Sequence, residues 1–110
     1  MYKLVFFVPE SHLESVKTAV LATGAGQIGD YDSCCWQIKG MGQFRPLAAA
    51  NPFIGSAGVL EQVDEYRVEL VCADALIREA VQALVAAHPY EEPAWDVTRL
   101  VDVLAADFKP

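Results

Sequence analysis

The chain opens on Tyr2-Lys3-Leu4-Val5-Phe6-Phe7-Val8, a run that is apolar and β-prone at odd and even positions alike. That pattern predicts a central strand, covered on both faces and ended by Pro9. Ser11-His12-Leu13-Glu14 follows with capping-box spacing, and Leu13, Val16 and Val20 recur at helical intervals. Gly24 and Gly26 supply the stop, so the spacing predicts a helix over about 11–23. From Asp30 to Lys39 the alternation returns. It sets Cys34, Trp36 and Ile38 on one face and Tyr31, Ser33, Cys35 and Gln37 on the other. Gly40-Met41-Gly42 reads as a turn or bulge and Gln43-Phe44-Arg45 as a short extension. Residues 47–56, with Asn51-Pro52 and Gly55, read as a flap. The clearest strand covers 60–72: Tyr66, Val68, Leu70 and Cys72 face the core, while Glu65, Arg67 and Glu69 point away. Asp74 is the expected cap of a second helix, about 74–87, whose stripe of Ile77, Val81 and Leu84 leads on to His88. Pro89 disfavours helical geometry at the residue before it, and 95–101 reads as the last strand.

The order β-α-β-β-α-β, with right-handed crossovers, predicts an α+β ferredoxin-like sandwich. The whole chain, 1–110, is read as one such domain with a loop or hairpin excursion at about 40–58. Two helices cover one face of a four-stranded sheet. The other face is expected to carry Tyr31, Cys35, Gln37, Arg67 and Glu69, a mixed surface suited to burial against another subunit.

Composition narrows the partners. Hydrophobic residues make up 54% of the 110, enough for a real core. The net charge of −7 argues against DNA, RNA or anionic lipid as a non-specific partner. No apolar run reaches the length of a membrane span, and no signal peptide is expected. Three cysteines, two of them adjacent at Cys34-Cys35, do not form a disulfide framework, so a reducing cytoplasm is the expected location.

The densest candidate chemistry is His88-Pro89-Tyr90-Glu91-Glu92-Pro93. His88 with Glu91 or Glu92 is a reasonable set for a divalent metal such as copper or zinc, completed by a neighbouring subunit. Against this stands a plainer reading, in which two prolines shape a link and His88 donates to a carbonyl at the helix end. The second candidate is Gly40-Met41-Gly42-Gln43-Phe44-Arg45-Pro46. Gly40 and Gly42 would let a ligand approach the backbone, and Arg45 would pair a phosphate or carboxylate, although the Gly-Lys-Ser/Thr end of a phosphate loop is missing. Adjacent cysteines on a strand point to opposite faces and cannot chelate one ion. Cys34 and Cys72 read as core; Cys35 reaches an open face or an interface. His12 reads as a surface residue.

Five spaced motifs carry a family resemblance: Tyr2–Pro9, Gly24–Tyr31, Gly40–Pro46 with Pro52-Phe53-Ile54-Gly55, Glu65–Glu69, and His88–Pro93. In that order they resemble the inserted domain of the Nif-three-like (YqfO-type) proteins, over roughly residues 2–101. The module is also similar to the CutA-type divalent-ion tolerance proteins and, more loosely, to PII signalling proteins. The resemblance implies a trimer with ligand sites in clefts between subunits. It also implies that the family's dinuclear metal site lies on flanking domains rather than here, so the hydrolase label does not transfer. Cys34 takes the place of a cysteine common near the start of the family's second strand. The expected function is thus a non-catalytic oligomeric module that binds a ligand or a protein partner through Gly40, Gly42, Arg45 and Tyr90. A divalent-metal protein is the alternative, and a metal-dependent hydrolase of nucleotides or phosphoesters a disfavoured third.

Overall fold

A computed structural model describes all residues, 1–110. Strand β1 (Tyr2–Pro9) leads through one 3-10 turn into helix α1 (Leu13–Leu21). Strands β2 (Trp36–Phe44) and β3 (Glu61–Cys72) follow as a long hairpin, then helix α2 (Ile77–Ala87) and strand β4 (Trp95–Arg99). The sheet order is β2-β3-β1-β4 with every neighbouring pair antiparallel, which is the ferredoxin-like arrangement. No helix is long and apolar enough to cross a membrane.

Register explains the core. Leu4 pairs with Leu70, Phe6 with Val68 and Val8 with Tyr66, so these side chains share the helix-covered face. Val16 and Val20 of α1 and Ala80 and Leu84 of α2 close over them, all fully buried. Burial of each large aliphatic side chain contributes about 1.5–3 kcal/mol. Val5, on the opposite face of β1, is buried as well, as a central strand requires. Gly24 adopts a positive φ of 98° just past α1, where glycine meets no steric penalty.

Several details depart from the sequence reading. The strand expected from residue 30 starts only at Trp36, and it runs unbroken through Gly40 and Gly42 without a bulge. Its faces are reversed. Trp36 pairs with Glu69 and Ile38 with Arg67, which puts both on the uncovered side, 58% and 52% exposed. Gln37 instead turns toward the helices and accepts a bond from Lys17 Nζ at 2.9 Å. Cys34 is therefore not core: it precedes the strand half-exposed, and its neighbour Cys35 packs against the core. Periodicity alone cannot tell which face of an edge strand meets the helices; register decides it. The expected capping box does not form, because Ser11 Oγ bonds His12 Nδ1 at 2.8 Å. Asp74 lies inside the turn that Ala73 caps, and makes no side-chain cap bond.

Candidate functional site

The open side of the sheet is not flat. Residues 45–60, joining β2 to β3, fold over the upper ends of β1 and β3 and meet the link between α2 and β4. Between them lies a cavity of about 380 Å³. Phe7, Phe44, Phe53 and Tyr90 give it aromatic walls; Arg45, Glu65, Glu91 and Glu92 supply its charges. The size sits at the small end of the range for metabolite sites, about 300–1,000 Å³.

The link is shaped by its sequence. Pro89 holds His88 extended, with φ −73° and ψ 137°, and the helix ends there. His88 turns inward, only 7% exposed. Its Nε2–H donates to the Phe7 carbonyl at 2.7 Å, and its Nδ1 accepts the Tyr90 amide at 3.1 Å. A carbonyl must accept and an amide must donate, so these partners fix the neutral tautomer. Burial pushes the imidazole below its ordinary pKa, the Phe7 carbonyl opposes that shift, and His12 adds to it.

His88 thereby sets Tyr90, whose ring lies 4.8 Å from the imidazole. Phe44 and Phe53 flank the phenol, each 6.3 Å away. The Tyr90 hydroxyl is buried and makes no hydrogen bond of ideal geometry. The Glu65 carboxylate lies beside it and acts on it both by charge and as a hydrogen-bond acceptor outside ideal geometry. Burial, then that carboxylate's charge and its hydrogen bond, push Tyr90 up to about 12. Burial also raises Glu65, and the Tyr90 hydroxyl opposes the rise. Gly42 makes room for this acid, since a Cβ there would stand 2.1 Å from Glu65 Oε1. The flap is pinned by Glu91, whose two oxygens each accept the Asn51 amide at 3.3 Å. His12 meets Phe53 edge-on at 5.4 Å, so it supports the flap instead of standing free on the surface.

Of the residues singled out in the sequence, Arg45, Tyr90, Glu91 and Glu92 line the cavity. Gly42 adjoins it through Glu65, Gly40 has open space above it, and His88 lies beneath as a support. Glu65 was not among them. Its signal was present as two glycines on the neighbouring strand, a strand position with no side chain to oppose an inward acid. No three His, Cys, Asp or Glu side chains gather as a metal-ion site, and both His88 nitrogens are already engaged. A metal on His88 would have to displace one of those bonds.

No family model matches the chain. It is 43% identical over 102 residues to a protein of Halalkalibacterium halodurans named GTP cyclohydrolase 1 type 2 homolog, covering 93% of this chain and 27% of that protein. A Mycobacterium leprae protein of the same name is 52% identical over 100 residues, covering 90% and 26%. The chain thus spans about a quarter of the length of the curated relatives it matches. Among solved structures, a Bacillus cereus protein related to NIF3 superposes with a TM-score of 0.79 at 40% identity, over 92% of this chain and 26% of that one. CutA from Xylella fastidiosa superposes with a TM-score of 0.66 at 17% identity, over 90% and 82%, a likeness of fold alone. Over some nine-tenths of its length, the chain is therefore a homologue of one segment of the NIF3-related proteins, and it has the ferredoxin-like fold of CutA.

Proposed function

We propose that this chain is a non-catalytic, self-associating module that holds a small organic ligand in the cavity between its flap and the open side of its sheet. The observation that carries this reading is the aromatic-lined cavity of about 380 Å³ between flap and sheet, with the Tyr90–Glu65 pair in its wall. A phenol raised to about 12 is a poor base at neutral pH, so its use is recognition rather than proton abstraction. The exposed Trp36 and Ile38, on the same open side, favour contact between copies, with the trimer that the family resemblance implies as the expected assembly. Three free thiols suit a reducing cytoplasm. The name borne by the longer relatives describes proteins about three and a half times this length, and it does not pass to this segment.

Two measurements test the reading. Sedimentation velocity is expected to show a species heavier than the single 12.0 kDa chain. Thermal denaturation against a metabolite panel of mixed charge is expected to give compounds that raise Tm in the wild type and fail to do so in Phe53→Ala. A chain that sediments singly, together with a panel that moves nothing, overturns it.

A further inference from the structure

We infer that the cavity selects a small organic cation: an ammonium or amidinium group carried on an apolar or aromatic body. The inference rests on the ligand-binding reading above and names the ligand's chemical class. Three carboxylates line the cavity, the half-buried Glu65 and the exposed Glu91 and Glu92, against one exposed guanidinium, Arg45. Glu91 is engaged with the Asn51 amide, which leaves Glu65 as the half-buried acid at the inner wall. None of the chain's ion pairs includes Glu65. A half-buried carboxylate without a cation carries a desolvation penalty that a charged N–H donor removes. The Tyr90 hydroxyl beside it is a neutral donor buried in the wall, so it does not balance the charge of Glu65. An ammonium or amidinium in the cavity can donate to Glu65 and supply the missing positive charge.

The walls agree with the charges. Phe44, Phe53 and Tyr90 form a run of mutually tilted rings around the same space, and aromatic faces attract organic cations. An anionic ligand would meet three carboxylates and a chain of net charge −7. Phosphate compounds are therefore disfavoured, despite Arg45 at the mouth. A bare metal ion is disfavoured too, because no three suitable ligand side chains converge. Gly42 fits the same account. Its missing Cβ is what allows Glu65 to fold inward, where a side chain at 42 would strike the carboxylate.

Calorimetric titration with three isosteric probes tests the inference: benzamidinium, neutral benzamide and benzoate. The wild-type chain is expected to bind benzamidinium about tenfold or more tightly than benzamide, and to show no benzoate heat, since a charged hydrogen bond is worth about 1.5–3 kcal/mol. Glu65→Gln is expected to abolish the preference for the cation over benzamide while melting at or above the wild-type Tm. Equal binding of benzamide or benzoate overturns the cation inference and leaves a ligand cavity standing. A Glu65→Gln variant with undiminished preference for benzamidinium overturns it as well. Absence of heat from all three probes, combined with Tm shifts from other panel compounds, shows a cavity built for a different class. Absence of heat from any compound, with a basic side chain of a second copy seated there, sinks both readings.

Discussion

A single imidazole holds the corner of the site together. His88 reaches from the end of α2 to the Phe7 carbonyl and receives the Tyr90 amide, so it ties helix, central strand and cavity wall in one group. Protonation of Nδ1 removes the acceptor that Tyr90 uses. The folded chain therefore favours the neutral ring, and burial is the chief cause of the depressed pKa. The sign follows from linkage. Above the ordinary value of 6.5 both folded and unfolded His88 are neutral, and the stabilisation is complete. As pH falls below it, the unfolded chain takes up the proton first, and stability drains away until the pH has passed the lower folded value. Glu65, raised by burial, acts in the opposite sense at more acidic pH. The measurement is accordingly a difference. His88→Gln should be less stable than wild type by about 1–3 kcal/mol at pH 7.5. The gap should narrow steadily in urea melts as pH falls below 6.5, with the Glu65 contribution cancelling between the two proteins. A gap that stays constant to pH 5 would show that the ring is not held neutral.

At the scale of elements, the least regular connection is also among the most constrained. Between α1 and β2, Gly26 has a positive φ of 83°, donates to the Val71 carbonyl at 2.8 Å and accepts the Cys34 amide at 2.8 Å. An added Cβ would lie 2.7 Å from Leu21 Cδ2 and 2.8 Å from the Cys34 carbonyl oxygen. The second contact is backbone and cannot swing aside. Gly26→Ala is expected to destabilise the fold by about 2–4 kcal/mol, read by chemical denaturation, since left-handed strain and overpacking add. Gly42→Ala makes a useful contrast. It meets only the end of the Glu65 side chain, so its loss should fall within about 1 kcal/mol while cation binding weakens. These two glycines also mark how far the sequence could be read. Element order, both helices and the inward positions of β3 were legible, because their periods are long and consistent. The facing of β2 was not. Its apolar residues alternate cleanly, and nothing local reports that Trp36 stands beside Glu69 rather than Val68. Tyr90 and Arg45 drew notice as chemistry-bearing residues near prolines and glycines. Glu65 passed as one more outward acid, because its burial comes from a flap that is distant in sequence.

At the scale of the whole molecule, shape and surface support the proposed self-association. Its radius of gyration is 15.9 Å against about 13 Å for a globule of this length, and its long axis reaches 53 Å. The β2–β3 hairpin contributes to that length, and the uncovered face of β2 bears Trp36 and Ile38 with no helix over them. The neighbouring side chains on β1 and β3 are Lys3, Glu69 and Arg67, paired among themselves at 3.7 and 2.9 Å. Such exposed pairs add little stability, about 0–1 kcal/mol each, but they keep a mixed surface soluble until it is covered. Apolar area taken from water at about 25 cal/mol per Å² is then the main gain on association. Trp36 can report that event directly. It and Trp95 are the two indoles, both substantially exposed in the single chain. If copies meet through β2, the indole of Trp36 enters an apolar seam, and the emission of Trp95→Phe, which keeps only Trp36, should lie to the blue at high concentration. Dilution should move it to the red along the same curve on which sedimentation loses its heavier species. Ile38→Glu, one residue pair along the same face, should give the red emission at every concentration while its far-ultraviolet circular dichroism and melting stay cooperative. Emission that ignores concentration, in a protein that nevertheless sediments as several chains, would place the seam on another face and leave β2 open to water.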